Sequence, residues 1–391
     1  MNKYLITLLL IGASCDYFGV LEVSLYKYIP FVTIFFTIAY YKNDLLFRKN
    51  MIWFYGLLYI SAISCYINRG QTISDTLMTR EYFNFYCLTL FYVFLSLKPS
   101  LRNVGHVVLS LYVIFIAVYI LQYIYYPKEI VTLIVNNERE HRFRIMGQTI
   151  NIVGYFYCVC SYMATRKLMY LMLSFMGILI VFLMGFRMML AAILLITAVA
   201  YFRMKKNSIK NILSTVVVVG VFTYLLSLIP AVTDSVERMI EANDSQTYLN
   251  DDYIRWMQFA YFTNDHFNSL IEWITGSGIP GRFSSYGNMM ALDKDYFEAT
   301  AIYGWVDWGL IGLSWVAGPF TVIALVLMWF KCIKISWFEE VKYQYVAYSL
   351  IFLLIISVNN IEIYRIGSFG IHALLLYLVN NLYQIKLNHE G

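Results

Sequence analysis

Apolar stretches of about twenty residues recur along almost the whole chain, and Lys and Arg collect in every second gap between them. That arrangement constrains the fold more than any motif. A backbone surrounded by lipid must satisfy its own N–H and C=O groups, so stretches of this kind fold as helices. Apolar runs lie near residues 4–20, 28–41, 51–67, 83–97, 104–126, 146–164, 168–184, 188–202, 211–230, 301–330, 343–361 and 367–385. The expected fold is all-α and polytopic, with about 12 transmembrane helices and one integral membrane domain over residues 1–391.

Charge placement tests this expectation independently, because Lys and Arg are retained on the cytoplasmic side. The N-terminus, 42–50, 98–103, 165–167, 203–210, 331–342 and the C-terminus together hold 16 basic residues, from Lys3 to Lys386, against Asp44, Glu339, Glu340 and Glu390. Both termini are therefore expected in the cytoplasm. The net charge of +5 is explained by this topology, and no nucleic-acid partner is implied. A chain that is 60% hydrophobic and 14% charged, with mean hydropathy +0.62, fits one helical bundle better than soluble domains. The first apolar run lacks a small-residue cleavage pattern and reads as a retained helix. The six cysteines show neither a disulfide framework nor zinc-ligand spacing.

The other connections include 68–82, 127–145, 185–187, 362–366 and one long segment, 231–300, read as a large periplasmic loop. Within it, Asp234 to Ala242 reads as an amphipathic helix, and Asp251-Asp252 caps a second helix from Tyr253 to Thr263. Gly276-Ser277-Gly278 and Pro280-Gly281 mark turns.

The same outer face gathers Arg80, Arg142, Arg144, Arg187, Arg255, Arg282, Asp295, Glu298 and Arg365. Arg187 stands out, because Gly185-Phe186-Arg187 joins two apolar runs with no other charge between Lys167 and Arg203. An arginine at membrane depth costs about 2.5–3.5 kcal/mol, so it faces a polar cavity or an anionic ligand unless it snorkels to the interface. Arg142 and Arg144 fit either a binding role or a solvated run of alternating charges. Arg255 opens a loop helix that either leans over a cavity or lies flat on the membrane. His266 reads as a surface loop histidine without an orienting partner. Asp295 and Glu298 are candidate general bases for a sugar hydroxyl, or ordinary loop acids. No metal or cofactor motif occurs, so an anionic substrate would be neutralised by arginines, whose forked donors suit a diphosphate.

Four stretches over roughly residues 140–315 resemble the O-antigen polymerase (Wzy) and O-antigen ligase superfamily. Arg144, Gly147, Asn151 and Gly154 are similar to its Arg, Gly, Asn pattern opening a central span. Gly185-Phe186-Arg187 is similar to its Ser-Arg motif, with Phe186 in place of the serine. Arg255-Trp256 followed by Gly276-Ser277-Gly278 resembles its loop helix and Gly-x-Gly turn, and Tyr296 through Trp308-Gly309-Leu310-Ile311-Gly312 resembles its re-entering segment. Ligases of the family carry a histidine about 12 residues before the glycine matching Gly309. Phe297-Glu298 stands there, which favours the polymerase branch.

The resemblance implies a metal-independent glycosyltransferase of the C type in the bacterial inner membrane, with its active site facing the periplasm and no cofactor. Its substrate would be an undecaprenyl-diphosphate-linked oligosaccharide, and membrane lipids and a chain-length regulator are the implied partners. Arg187 and Arg255 would hold the diphosphate, Arg144 and Arg282 would line the cavity, and Asp295 or Glu298 would activate the acceptor. An O-antigen ligase and a lipid-linked oligosaccharide flippase are the alternatives.

Overall fold

Apolar runs that satisfy their own backbone become helices. The computed structural model describes residues 2–15, 25–131, 133–137, 142–145, 147–204, 254–281, 284–292, 304–358 and 367–390. In its first half it forms α1 (Lys3–Ser14), α2 (Ile29–Tyr40), α3 (Arg48–Arg69), α4 (Ile73–Leu77), α5 (Arg80–Tyr86), α6 (Leu90–Leu97) and α7 (Leu101–Tyr125). A two-stranded hairpin, β1 (Leu133–Asn137) and β2 (Arg142–Ile145), then leads into α8 (Gln148–Thr165), α9 (Leu168–Leu183) and α10 (Arg187–Met204). After residue 253 come the short α11 (Ile254–Ala260), α12 (Leu270–Thr275) and α13 (Ser285–Leu292). The chain ends with α14 (Gly309–Ala317), α15 (Pro319–Trp337), α16 (Tyr345–Ile356) and α17 (Ser368–Glu390).

Local chemistry fixes several boundaries. Asp44 Oδ1 accepts from the N–H groups of Leu46 and Phe47, satisfying donors just ahead of α3, and the left-handed Gly70 ends that helix. Ser100 Oγ caps α7 by accepting from the Asn103 N–H.

Three helices are long and apolar enough to cross a membrane: Arg48–Arg69, Leu101–Tyr125 and Pro319–Trp337. Shorter apolar helices span Lys3–Ser14, Leu168–Leu183, Met188–Arg203 and Val341–Ile356. About twelve full-length crossings are thus not present among the described residues, for identifiable reasons. The expected run at 83–97 is interrupted by a 3₁₀ turn at Cys87–Thr89. The run at 301–330 is broken at Gly318-Pro319, where Gly318 has a φ of 80° that a helix does not allow. The run at 211–230 and the expected helix at 234–242 lie outside the described residues. Among the described residues the hairpin is the one departure from the all-helical expectation. Val135 pairs with Arg144 and Asn136 with Phe143, and Phe143 packs on the end of α7 at 4.9 Å from the Tyr119 ring and 5.3 Å from Tyr126.

The helices run between two chemically distinct ends. At one, Lys3 Nζ donates to the Lys98 carbonyl (3.4 Å), and Lys331 Nζ donates to the Leu46 carbonyl (3.1 Å) and Asn50 Oδ1 (2.6 Å). Arg203 donates there to the Trp337 carbonyl and lies 4.1 Å above the Trp337 ring. These contacts join connections that the charge pattern placed on one side. Since α3, α10 and α15 each have one terminus in this basic rim, Arg69, Arg187 and Gly318 belong to the opposite end.

Candidate functional site

That opposite end is built in two parts, each joining stretches far apart in sequence. In the first, β2 carries Arg144 to the turn between α9 and α10. The left-handed Gly185 (φ 71°) shapes this turn, and the Arg144 guanidinium lies 4.2 Å from the centre of the Phe186 ring. A cation over an aromatic face contributes about 0.5–2 kcal/mol and fixes the guanidinium plane. Arg187 is the first residue of α10, directly after Phe186. The first two sequence motifs are therefore neighbours. Behind them Asn151 Nδ2 donates to the Gly177 carbonyl (3.4 Å), and Gly154 lies flat against Tyr112, where a Cβ would sit 2.3 Å from the ring. Asn151 and Gly154 thus pack α8 against α9 and α7.

In the second part, the loop docks onto the tryptophans that precede and follow the Gly309-Leu310-Ile311-Gly312 stretch. α11, which begins beside Arg255, runs into a π-helical turn at Tyr261–Asp265, close to the helix expected at 253–263. Phe259 meets Trp308 at 5.0 Å, and Phe262 stacks on Trp315 at 4.7 Å with the planes 5° apart. Ser277 and Gly278 donate their N–H groups to the Trp315 (3.0 Å) and Val316 (2.8 Å) carbonyls, which the last turn of α14 leaves without helical donors. At Gly276 a Cβ would approach the Val316 oxygen to 2.5 Å, and at Gly318 one would approach the Ile274 oxygen to 2.5 Å. The Leu310 N–H bonds the Ser357 carbonyl (2.5 Å) at the end of α16. The third and fourth motifs are therefore neighbours too.

The loop is locked from below by a buried polar cluster that sequence reading missed. Arg69, at the end of α3, forms a 2.5 Å ion pair with Glu272 of α12 and also donates to the His266 carbonyl. Glu272 Oε2 accepts from the Asn268 N–H (2.8 Å). Tyr286 donates to Ser277 Oγ (3.1 Å) and is 3.1 Å from His266 Nε2, so the neutral imidazole donates to the Tyr286 oxygen. Gln71 Oε1 accepts from the Gly281 N–H (2.9 Å) and the Ser284 hydroxyl (2.5 Å), while its Nε2 donates to the Ile279 carbonyl (2.9 Å). His266 is thus not the surface histidine expected: it is 1% exposed and has Tyr286 as an orienting partner. Burial, reinforced by the charge of Arg69, holds His266 well below the usual histidine range. Burial likewise pushes the Tyr286 phenol up, so both groups stay neutral. No local sequence signal marks Glu272 as the partner of Arg69, which lies 203 positions away.

Of the remaining expected site residues, Arg80 opens α5 and is exposed, and Arg142 sits in β2 opposite Asn137. The side chains of Arg142, Arg187 and Arg255 lie outside the described part of the structure, as do Arg282, Asp295, Glu298 and Arg365 entirely. Among the described residues no three His, Cys, Asp or Glu side chains gather as a metal site requires. All six cysteines are buried, and none forms a disulfide.

Comparison with family models, with curated proteins and with solved structures returned no match for this chain.

Proposed function

We propose that this chain is a polysaccharide polymerase of a bacterial inner membrane, which moves a growing glycan from undecaprenyl diphosphate onto the non-reducing end of a new lipid-linked repeat unit. In this reading the helices form a C-type glycosyltransferase bundle. Both termini are cytoplasmic, and 231–300 caps the periplasmic face.

One observation carries the reading: the four stretches that resemble the polymerase family pair up in space, Arg144 with Phe186 beside Arg187, and Gly276-Ser277-Gly278 with the segment after Trp308. Both pairs lie away from the basic rim. Packing alone does not require motifs scattered over some 170 residues to meet at the end of the bundle opposite the Lys-rich connections.

The acceptor hydroxyl oxygen attacks the anomeric carbon of the donor sugar. The bond from that carbon to the diphosphate oxygen breaks, and its electron pair leaves with undecaprenyl diphosphate. The hydroxyl proton passes to Asp295 or Glu298 acting as general base. Arg187 and Arg255 hold the diphosphate and meet the charge that builds on its leaving oxygen, with Arg144 and Arg282 lining the cavity and Arg80 and Arg142 near its rim.

Arg187→Ala and Arg255→Ala should each abolish long glycan chains without lowering protein abundance. Chains of natural length in both variants would remove the diphosphate clamp. A deletion strain should show single-repeat caps on its surface glycolipid. Full-length unattached polymer would mark a ligase instead, and loss of periplasmic intermediates a flippase.

A further inference from the structure

α12 is a six-residue helix whose polarity is inverted relative to a helix facing water. Its one charged side chain, Glu272, is fully buried against Arg69, whereas Leu270, Ile271, Trp273 and Ile274 are 39–73% exposed. A solvated helix buries its apolar stripe and shows its charge. An exposed apolar surface of this kind is stable where lipid, not water, is the neighbour.

The position of α12 in the fold points to the same neighbour. It lies across the ends of two helices long and apolar enough to span a membrane, α3 and α15. Thr275 Oγ1 donates to Ser64 Oγ in the last turns of α3 (2.8 Å), and the Ile274 carbonyl rests against Gly318, just ahead of α15. Both helices carry exposed apolar stripes at helical spacing: Ile60, Ile63 and Ile67 on α3, and Phe320, Ile323, Leu327 and Phe330 on α15. Ile67 and Phe320 bring those stripes up to the level of α12. Polar Thr263, Asn264 and Asp265, at the end of the preceding helical segment, are exposed and face the opposite solvent requirement.

We infer that α12 is an interfacial anchor, immersed in the headgroup and upper acyl region of the bilayer, whose occupant is phospholipid. Glu272, pointing inward, ties this anchor through Arg69 to the end of α3, so the docked loop is held at the depth of the lipid phosphates. The inference rests on the membrane location of the chain and stands whether or not the chain transfers glycans.

The natural protein has six buried cysteines, which gives a low labelling background and serves as the blank. Ile271→Cys and Ile274→Cys, each spin-labelled in the full chain and reconstituted into phosphatidylethanolamine–phosphatidylglycerol vesicles, are compared with Thr263→Cys. Collisional relaxation by oxygen, which enriches in lipid, and by a water-soluble nickel chelate reports what surrounds each label. The oxygen-to-nickel ratio should be several-fold higher at 271 and 274 than at 263. A ratio equal to that at 263 would place α12 in water, and exclusion of both reagents would mean that protein covers it; either overturns the inference. The two positions are read independently, so loss of folding in one variant leaves the other to decide.

Discussion

Arg69 and Glu272 form the most consequential side-chain pair among the described residues, because both are removed from solvent and each leaves the other uncompensated when deleted. Breaking a buried pair by removing one partner costs about 3–5 kcal/mol, whereas replacing both by apolar groups of similar volume is often neutral. Arg69→Ala and Glu272→Ala should each lower the midpoint of thermal unfolding in detergent markedly, and Arg69→Met with Glu272→Leu should recover most of the loss. A double variant as unstable as the sum of the singles would show that the two do not act as a pair. His266 adds a pH dependence of defined sign. Its folded-state proton affinity lies below that of an unfolded histidine near 6.5, so the unfolded loop binds the proton first. Docking is therefore complete above about pH 6.5 and weakens as the pH falls below it. Amide exchange over 266–281 should accelerate between pH 6.5 and 5 beyond its intrinsic pH dependence. His266→Gln, which keeps a donor near Nε2 without the titration, should remove that excess.

At the scale of elements, much was readable because lipid imposes a simple rule. The runs expected at 104–126, 146–164, 168–184 and 188–202 correspond to α7, α8, α9 and α10 within a few residues. Failures occurred where the backbone follows tertiary contacts. The stretch from 301 to 330 has enough apolar residues for one long helix, yet it breaks at Gly318-Pro319, where the loop's Gly276 approaches Val316. Gly-Pro is a break signal in its own right, but it is outvoted by apolar residues on both sides. The hairpin formed by 133–137 and 142–145 escaped notice because strands of five and four residues carry little periodicity. Neither the Arg69–Glu272 pair nor the Tyr286–His266 contact was legible, since their partners lie in separate elements. The Gly276 contact gives a direct test. A side chain there meets both a φ of 87° and a backbone oxygen at 2.5 Å, and strained positions of this kind cost about 1–3 kcal/mol. Gly276→Ala should destabilise the protein by about that amount and raise amide exchange in 276–281, while Gly56→Ala, inside α3 with nothing near its Cβ, should not destabilise the protein and should leave exchange in 276–281 unchanged.

For the molecule as a whole, the two ends differ in how they use positive charge. Lys3, Lys331 and Arg203 close gaps between connections by donating to backbone carbonyls, so the basic rim is a structural seam. At the other end Arg69 and Arg144 are engaged with a carboxylate and an aromatic face within the fold. If the rim is cytoplasmic, as Lys and Arg retention requires, the loop and the candidate site must lie outside the cell interior. The exposed positions Thr263 and Lys167 lie toward opposite ends, and the buried native cysteines leave the background low. A membrane-impermeant maleimide applied to cells with a permeabilised outer membrane should label Thr263→Cys readily and Lys167→Cys only after the inner membrane is opened. The reverse pattern would place the arginine-bearing end in the cytoplasm, where a substrate delivered on the periplasmic leaflet cannot reach it, and the proposed reaction would fail with the topology. Labelling at both positions in intact cells would instead mean that the two ends are not separated by a bilayer.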